Sequence, residues 1–82
     1  MLNIKILGGG CANCKRLEAV ARETVQMLGI EAEFEKVTDH NEIMKYPILT
    51  TPGLVVNGAV VSSGRIPAQT EIEGWLKKAL EN

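Results

Sequence analysis

Two cysteines separated by two residues, Cys11 and Cys14, stand between a strand-like segment and a helical one, and they are the only cysteines among the 82 residues. Leu2, Ile4 and Ile6 alternate with polar residues, which is the period of a β-strand with one buried face. Three consecutive glycines end this segment directly before the first cysteine, and glycine permits sharp turns and close backbone approach. The chain is therefore predicted to begin as a strand, a turn and a helix, with the cysteine pair at the turn.

The segment after Cys14 has a helical period, and its apolar stripe ends at Gly29, a residue type that often stops helices. The stripe consists of Leu17, Ala21, Thr24 and Leu28. Cys14 shares the face of this stripe, which places it on the buried side of the predicted helix. A second strand is predicted over residues 30–37, where Ala32 and Phe34 alternate with glutamates as in an edge strand with one solvated face.

The second half of the chain predicts a short helix, a hairpin and a terminal helix. Asp39, with a glutamate three residues later, has capping-box spacing and opens a helix that Pro47 should end. Asn57-Gly58 between two valine-rich triplets indicates a tight hairpin turn, because both residues accept positive φ angles. The spacing over residues 72–80 is helical again, with glutamates early and lysines late. The predicted order is β-α-β-α-β-β-α, which is an α/β fold.

Composition limits the functions that are open to such a chain. Nine basic and ten acidic residues, with one Trp, one Tyr and one Phe, offer no basic patch or stacking platform, so no nucleic-acid partner is expected. No apolar segment reaches the length of a signal sequence or a membrane span, which predicts a cytoplasmic protein without a membrane partner. Residues 1–82 are expected to form one domain, and the chain is expected to be a monomer.

The cysteine pair predicts thiol–disulfide exchange, in which one thiolate attacks a disulfide and the other resolves the mixed disulfide. Cys11 is the expected nucleophile, because free N–H groups and the dipole at a helix start stabilise a thiolate, and Lys15 adds positive charge nearby. Lowering a thiol pKa from about 8.5 to about 7 requires only about 2 kcal/mol. Cys14 is the expected resolving cysteine, since one helical turn brings the two Cα atoms to about 5 Å, within disulfide range.

Two other uses of the same thiolates stay open at this point. A metal-binding or metal-carrying module is one, although a closed zinc site needs four ligands and the chain adds only His40, so no metal site is predicted within one chain. A ferredoxin-like metal chaperone also places such a pair after its first strand, but it ends on a strand, whereas this chain is predicted to end on a helix. The other use is a non-catalytic redox sensor, which the sequence does not separate from a catalyst.

Three features together resemble a minimal thioredoxin fold. They are the Cys-Ala-Asn-Cys segment at 11–14 after the first strand, Thr51-Pro52 before the third strand, and the order of the elements. With Pro52-Gly53-Leu54 and the glycine run, the chain more narrowly resembles the small glutaredoxin-sized thioredoxins of archaea and bacteria, also called redox-active disulfide proteins. This resemblance implies a four-stranded mixed sheet flanked by helices and a protein disulfide oxidoreductase activity.

The resemblance also implies roles for specific positions. In the family the threonine–proline bond is cis and lies beside the disulfide, where the preceding backbone pairs with an extended substrate segment, so Thr51 and Pro52 are expected to form the docking edge. Supporting positions around the cysteines are Gly10, Ala12, Asn13 and Lys15. The resemblance implies no bound cofactor, protein disulfides as substrates, and a separate thioredoxin-reductase-type electron donor.

Two departures from the common family patterns bear on the substrate. Ala12 and Asn13 differ from the pairs between the cysteines of typical thioredoxins and glutaredoxins, so the sequence does not predict a reduction potential. The stretch by which many glutaredoxins hold glutathione is missing, and residues 62–65 occupy the comparable region. This difference favours protein disulfides over glutathione mixed disulfides.

Overall fold

Four strands and three helices form the described parts of the chain, which are residues 2–8, 12–48 and 50–81 of the computed structural model. The strands are β1 (Leu2–Leu7), β2 (Ala32–Val37), β3 (Gly53–Val56) and β4 (Ala59–Ser63), and the helices are α1 (Ala12–Leu28), α2 (His40–Ile43) and α3 (Gln69–Leu80). Their order along the chain confirms the predicted α/β order.

The strands form a mixed sheet in the order β2-β1-β3-β4, which confirms the four-stranded sheet and the edge position of β2. β1 and β2 are parallel, whereas β3 runs antiparallel to both β1 and β4. Leu7, the last residue of β1, lies opposite Val37 of β2 and Gly53 of β3. The segment that follows β1 and the segment that precedes β3 therefore lie at the same end of the sheet.

Helices cover both faces of the sheet. On one face, α1 and α3 pack on alternate residues of β1 and β3, burying apolar side chains such as Ile4, Leu17 and Leu76 completely. On the other face, Ile43 of α2 packs with Leu7 and Val55. Burial of this apolar area on both sides drives the strands into one sheet: all four residues of β3 are buried, as are the apolar residues of β1.

Element boundaries differ from the predicted ones by a few residues. β2 begins at Ala32 rather than at residue 30, and α3 begins at Gln69, three residues before its predicted apolar pattern. Asp39 caps α2 as predicted, since its Oδ1 accepts a hydrogen bond of 2.8 Å from the Asn41 N–H, but the helix ends at Ile43 and does not reach Pro47. The hairpin turn has the predicted positive φ angles, 50° at residue 57 and 84° at residue 58.

The start of α3 is held by a side chain from inside the helix. Glu71 accepts a hydrogen bond of 3.0 Å from the Ala68 N–H, and its Oε2 lies 2.8 Å from Nη1 of Arg65. The Arg65 guanidinium, followed by the Ala68 N–H, lowers the pKa of the Glu71 carboxyl. The segment that leaves β4 is thereby tied to the helix that follows it.

We expect Glu71→Ala to lower the midpoint of chemical denaturation at neutral pH, because it removes both the cap and the ion pair. A folded-state pKa below the usual 4.5 means that the contribution of Glu71 is present at neutral pH and is lost as the pH falls through the folded-state pKa. The difference between the parent and the variant should therefore narrow in acid. Glu23→Ala, at an exposed position of α1, is the control, and an equal effect of both substitutions would contradict the capping role.

Candidate active site

The structure places Cys14 in the first turn of α1, on the buried face that the sequence predicted. Cys14 is only 4% exposed and is disulfide-bonded. Ala12, Asn13 and Lys15, which were predicted to support the site, are exposed in the same turn. The predictions for Cys11 and Gly10 fall outside the described residues.

The Thr51-Pro52 segment lies close to Cys14. Its peptide bond is cis, Pro52 is buried and Thr51 is exposed. Gly8, just after β1, stands between the two parts of the site: a Cβ built on Gly8 would overlap Cys14 Sγ and would lie 3.7 Å from Thr51 Cβ. The end of β1 therefore brings the buried cysteine and the threonine–proline segment together.

Gly8 is a site residue whose role the sequence showed only in outline. The glycine run predicts a turn that allows close backbone approach, and the structure identifies Cys14 as the group that approaches Gly8. The first glycine after an alternating strand indicates a close approach at position 8. Which residue approaches it depends on how α1 packs on the sheet, and the sequence does not show this packing. Any side chain at position 8 would displace the sulfur of Cys14 or the backbone beside it.

Gly64 is a second site residue that sequence reasoning missed. It follows β4, its N–H donates a hydrogen bond of 2.9 Å to the carbonyl of Pro52, and its φ is +76°. A Cβ at this position would lie 2.6 Å from Thr50 Cγ2. Gly64 thus supports the threonine–proline segment from the side of β4, in a conformation that favours glycine.

Two cavities flank this site. The first, of about 180 Å³, borders Cys14 between the start of α1 and the ends of β1 and β2. Its lining residues are Ile6, Gly8, Cys14, Lys15, Glu18, Lys36 and Thr38. The second, of about 340 Å³, borders Thr51 on the side of α2 and includes His40 and Met44, whose side chain is 68% exposed.

A polar cluster lies on the other face of β1. The Nζ of Lys5 donates a hydrogen bond of 3.2 Å to the Tyr46 hydroxyl and lies 3.7 Å from Glu35 Oε2. The Tyr46 hydroxyl, assisted by the Glu35 carboxylate, raises the pKa of the Lys5 ammonium. Lys5 is therefore held as a cation on the partly exposed side of the central strand β1.

The described residues offer neither a metal-binding cluster nor a membrane-spanning helix. Ranges 2–8, 12–48 and 50–81 contain no group of three or more His, Cys, Asp or Glu side chains that could hold a metal ion. None of the helices in those ranges combines the length and apolar character needed to cross a bilayer.

A buried cysteine in the first turn of a helix, a cis threonine–proline segment beside it and a four-stranded mixed sheet define a thiol–disulfide site of the thioredoxin type. The family model for the thioredoxin domain matches residues 2–77, and the chain belongs to this family. As the sequence predicted, it is a thiol–disulfide oxidoreductase.

Two archaeal thioredoxins are similar to this protein over nearly the whole chain. Thioredoxin from Methanothermobacter thermautotrophicus is 45% identical over 73 residues, which is 89% of this chain and 95% of the relative. Thioredoxin from Methanocaldococcus jannaschii is 41% identical over 81 residues, or 99% of this chain and 93% of the relative. Among solved structures, the oxidised thioredoxin from Plasmodium falciparum shares the fold, with a TM-score of 0.62 at 23% identity over 95% of this chain and 80% of that one.

We expect Gly64→Ala to lower the free energy of unfolding by about 1–2 kcal/mol and to slow the reduction of a protein disulfide such as that of insulin. The added methyl group would push Thr50 and displace the segment that precedes Pro52. Gly29→Ala is a matched control, because Gly29 has a φ of +67° but nothing lies within 4 Å of a Cβ built there. It should lose stability without slowing exchange; equal slowing in both variants would contradict the support role of Gly64.

Proposed function

We propose that this chain is a cytoplasmic reductant of protein disulfides, in which Cys11 is the nucleophile, Cys14 resolves the mixed disulfide, and Thr51-Pro52 forms the docking edge. The observation that carries this proposal is the burial of Cys14 in the first turn of α1, against Gly8 and near Thr51. A buried sulfur at this point suits attack within the protein rather than first contact with a large substrate.

The exposure of the neighbouring positions supports Cys11 as the first nucleophile. Ala12 and Asn13, which follow Cys11 in sequence, are exposed, whereas Cys14 is buried. The helix start supplies N–H groups and a dipole that stabilise a thiolate, and Lys15 adds a positive charge. The Cys11 thiolate would attack one substrate sulfur and release the other as a thiolate. Cys14 would then attack Cys11, close the protein disulfide and release the second substrate thiolate, so that two electrons pass to the substrate.

The docking role of Thr51-Pro52 is supported by its hydrogen bonds. The carbonyl of Pro52 is occupied by the Gly64 N–H, whereas the carbonyl of exposed Thr51 accepts, from the residues that the structure describes, only a long bond of 3.4 Å from the Thr50 hydroxyl. An extended substrate segment can displace that weak bond and pair with the backbone of Thr51, in the manner of strand addition. The adjoining cavity with Met44 offers an apolar wall for a neighbouring substrate side chain.

The electron donor is proposed to be a separate protein of the thioredoxin-reductase type, and the chain is proposed to act as a monomer without a bound cofactor. Exchange between two cysteines and a disulfide consumes only the two electrons that the dithiol holds, so no further redox group is needed in the chain. The reductase would use the same exposed edge as the substrates, since it must reach the same disulfide.

A redox titration of the purified protein is the first test of this function. We expect a reversible two-electron transition in dithiothreitol buffers, at a potential of the order of the −270 mV of thioredoxin, read by alkylation of free thiols and mass spectrometry. Metal content after purification is measured on the same sample. Absence of the transition, with one metal ion retained per two chains, would instead make the cysteines metal ligands.

Substrate trapping tests the two cysteine roles separately. Cys14→Ser should accumulate mixed disulfides with protein substrates through Cys11, because the resolving thiol is gone. Cys11→Ser is the matched variant and should trap little, since its remaining sulfur is buried. Non-reducing electrophoresis of trapped complexes reads the result, and trapping only by Cys11→Ser would reverse the assigned roles.

A further inference from the structure

A carboxylate stands one helical turn beyond the buried cysteine. Glu18 follows Cys14 by four residues on α1, so the two side chains are neighbours on one helix face, and both line the cavity of about 180 Å³. The side chain of Glu18 is only 15% exposed. Nothing in the roles assigned above uses this group.

Two cations fix the position and charge of Glu18. Lys36 of β2 places its Nζ 3.0 Å from Glu18 Oε1, and Arg22 places its Nε 2.9 Å from Oε2. The guanidinium of Arg22 also lies over the ring of Phe34, 4.4 Å from its centroid, which holds the bridge against β2. Lys36, followed by Arg22, lowers the pKa of the Glu18 carboxyl, so it is ionised at neutral pH.

The charged side chains near Cys14 are those that line the cavity of about 180 Å³. α1 contributes Lys15 and Glu18, and β2 contributes Lys36, whereas Ile6 of β1 and Gly8 just after it are uncharged. The hydroxyl of Thr38 completes the lining. Glu18 is therefore the only negatively charged side chain among these lining residues, and it is the one on the same helix face as Cys14.

We propose that the Glu18 carboxylate controls the proton of the resolving cysteine: it holds reduced Cys14 as a thiol, and Lys36 limits the strength of this effect. The inference rests on the proposed function, since it explains how two thiols three residues apart can behave differently. Cys14 keeps its proton while Cys11 attacks the substrate. In the resolving step Cys14 gives that proton to solvent, its thiolate bonds to the Cys11 sulfur, and the electron pair of the broken bond leaves with the substrate thiolate.

The test is a titration of the Cys14 thiol in the Cys11→Ser protein, where Cys14 is the only cysteine. The ultraviolet absorbance of the thiolate against pH gives its pKa. Because a neighbouring charge can shift a pKa by about one unit, Glu18→Gln should lower the pKa of Cys14 by about 1, and Lys36→Gln should raise it. Glu23→Gln, exposed on α1, is the control and should leave the pKa unchanged.

Opposite shifts from the two substitutions distinguish charge control from a merely structural role, which would move the pKa in one direction or not at all. A pKa in Glu18→Gln equal to that of the Cys11→Ser parent, or the same direction of shift in both variants, would overturn the inference. Lys36 is more than half exposed, so Lys36→Gln keeps the test valid if Glu18→Gln does not fold. Reduction of protein disulfides by the chain with both cysteines is measured separately, and its absence would refute the proposed function without altering the outcome for Glu18.

Discussion

The register of the two central strands determines where chemistry can occur in this chain. Leu7, the last residue of β1, lies opposite both Val37 and Gly53. The parallel strands β1 and β2 therefore end, and the antiparallel strand β3 begins, at the same end of the sheet. Helix α1 must start at that end of the sheet, because it follows β1 after a few residues. A shift of one residue in this pairing would turn the buried face of β1 outward and would carry the turn away from the proline segment.

Close packing at the end of the sheet that carries the site depends on two glycines, which have no side chain. Gly8 leaves space for the sulfur of Cys14, and Gly64 leaves space for Thr50 while its N–H binds the carbonyl of Pro52. Both glycines follow directly after a strand, where the backbone turns towards the site. The site is thus shaped from both sides of the threonine–proline segment by backbone, which is less free to move than long side chains.

Most of the fold followed from local patterns in the sequence. Alternation in β1, the apolar stripe of α1 and the Asn57-Gly58 turn each depend on neighbouring residues, and the structure has these elements where they were predicted. The boundaries of α2 were less well predicted, since a helix of four residues is held by tertiary contacts such as those of Ile43 rather than by its own period.

The parts of the site that the sequence did not reveal depend on contacts between distant residues. Glu18 and Lys36 are ordinary charged residues in sequence, and their pairing beside Cys14 arises only from the docking of α1 on β2. Gly64 likewise gains its role from Thr50, on the opposite side of the hairpin. The cysteine pair and Thr51-Pro52 could be recognised because each is a short motif, whereas such pairings carry no local signature.

The outward glutamates of β2 have a consequence for how this small sheet behaves in a concentrated solution. β2 is an open edge, and its residues Glu33 and Glu35 are exposed beside Glu31. If two copies paired along this strand, carboxylates would face one another across the new ladder, and like charges directly opposite are destabilising. The alternation that marks β2 as half-buried therefore also discourages self-association through its free hydrogen-bonding groups.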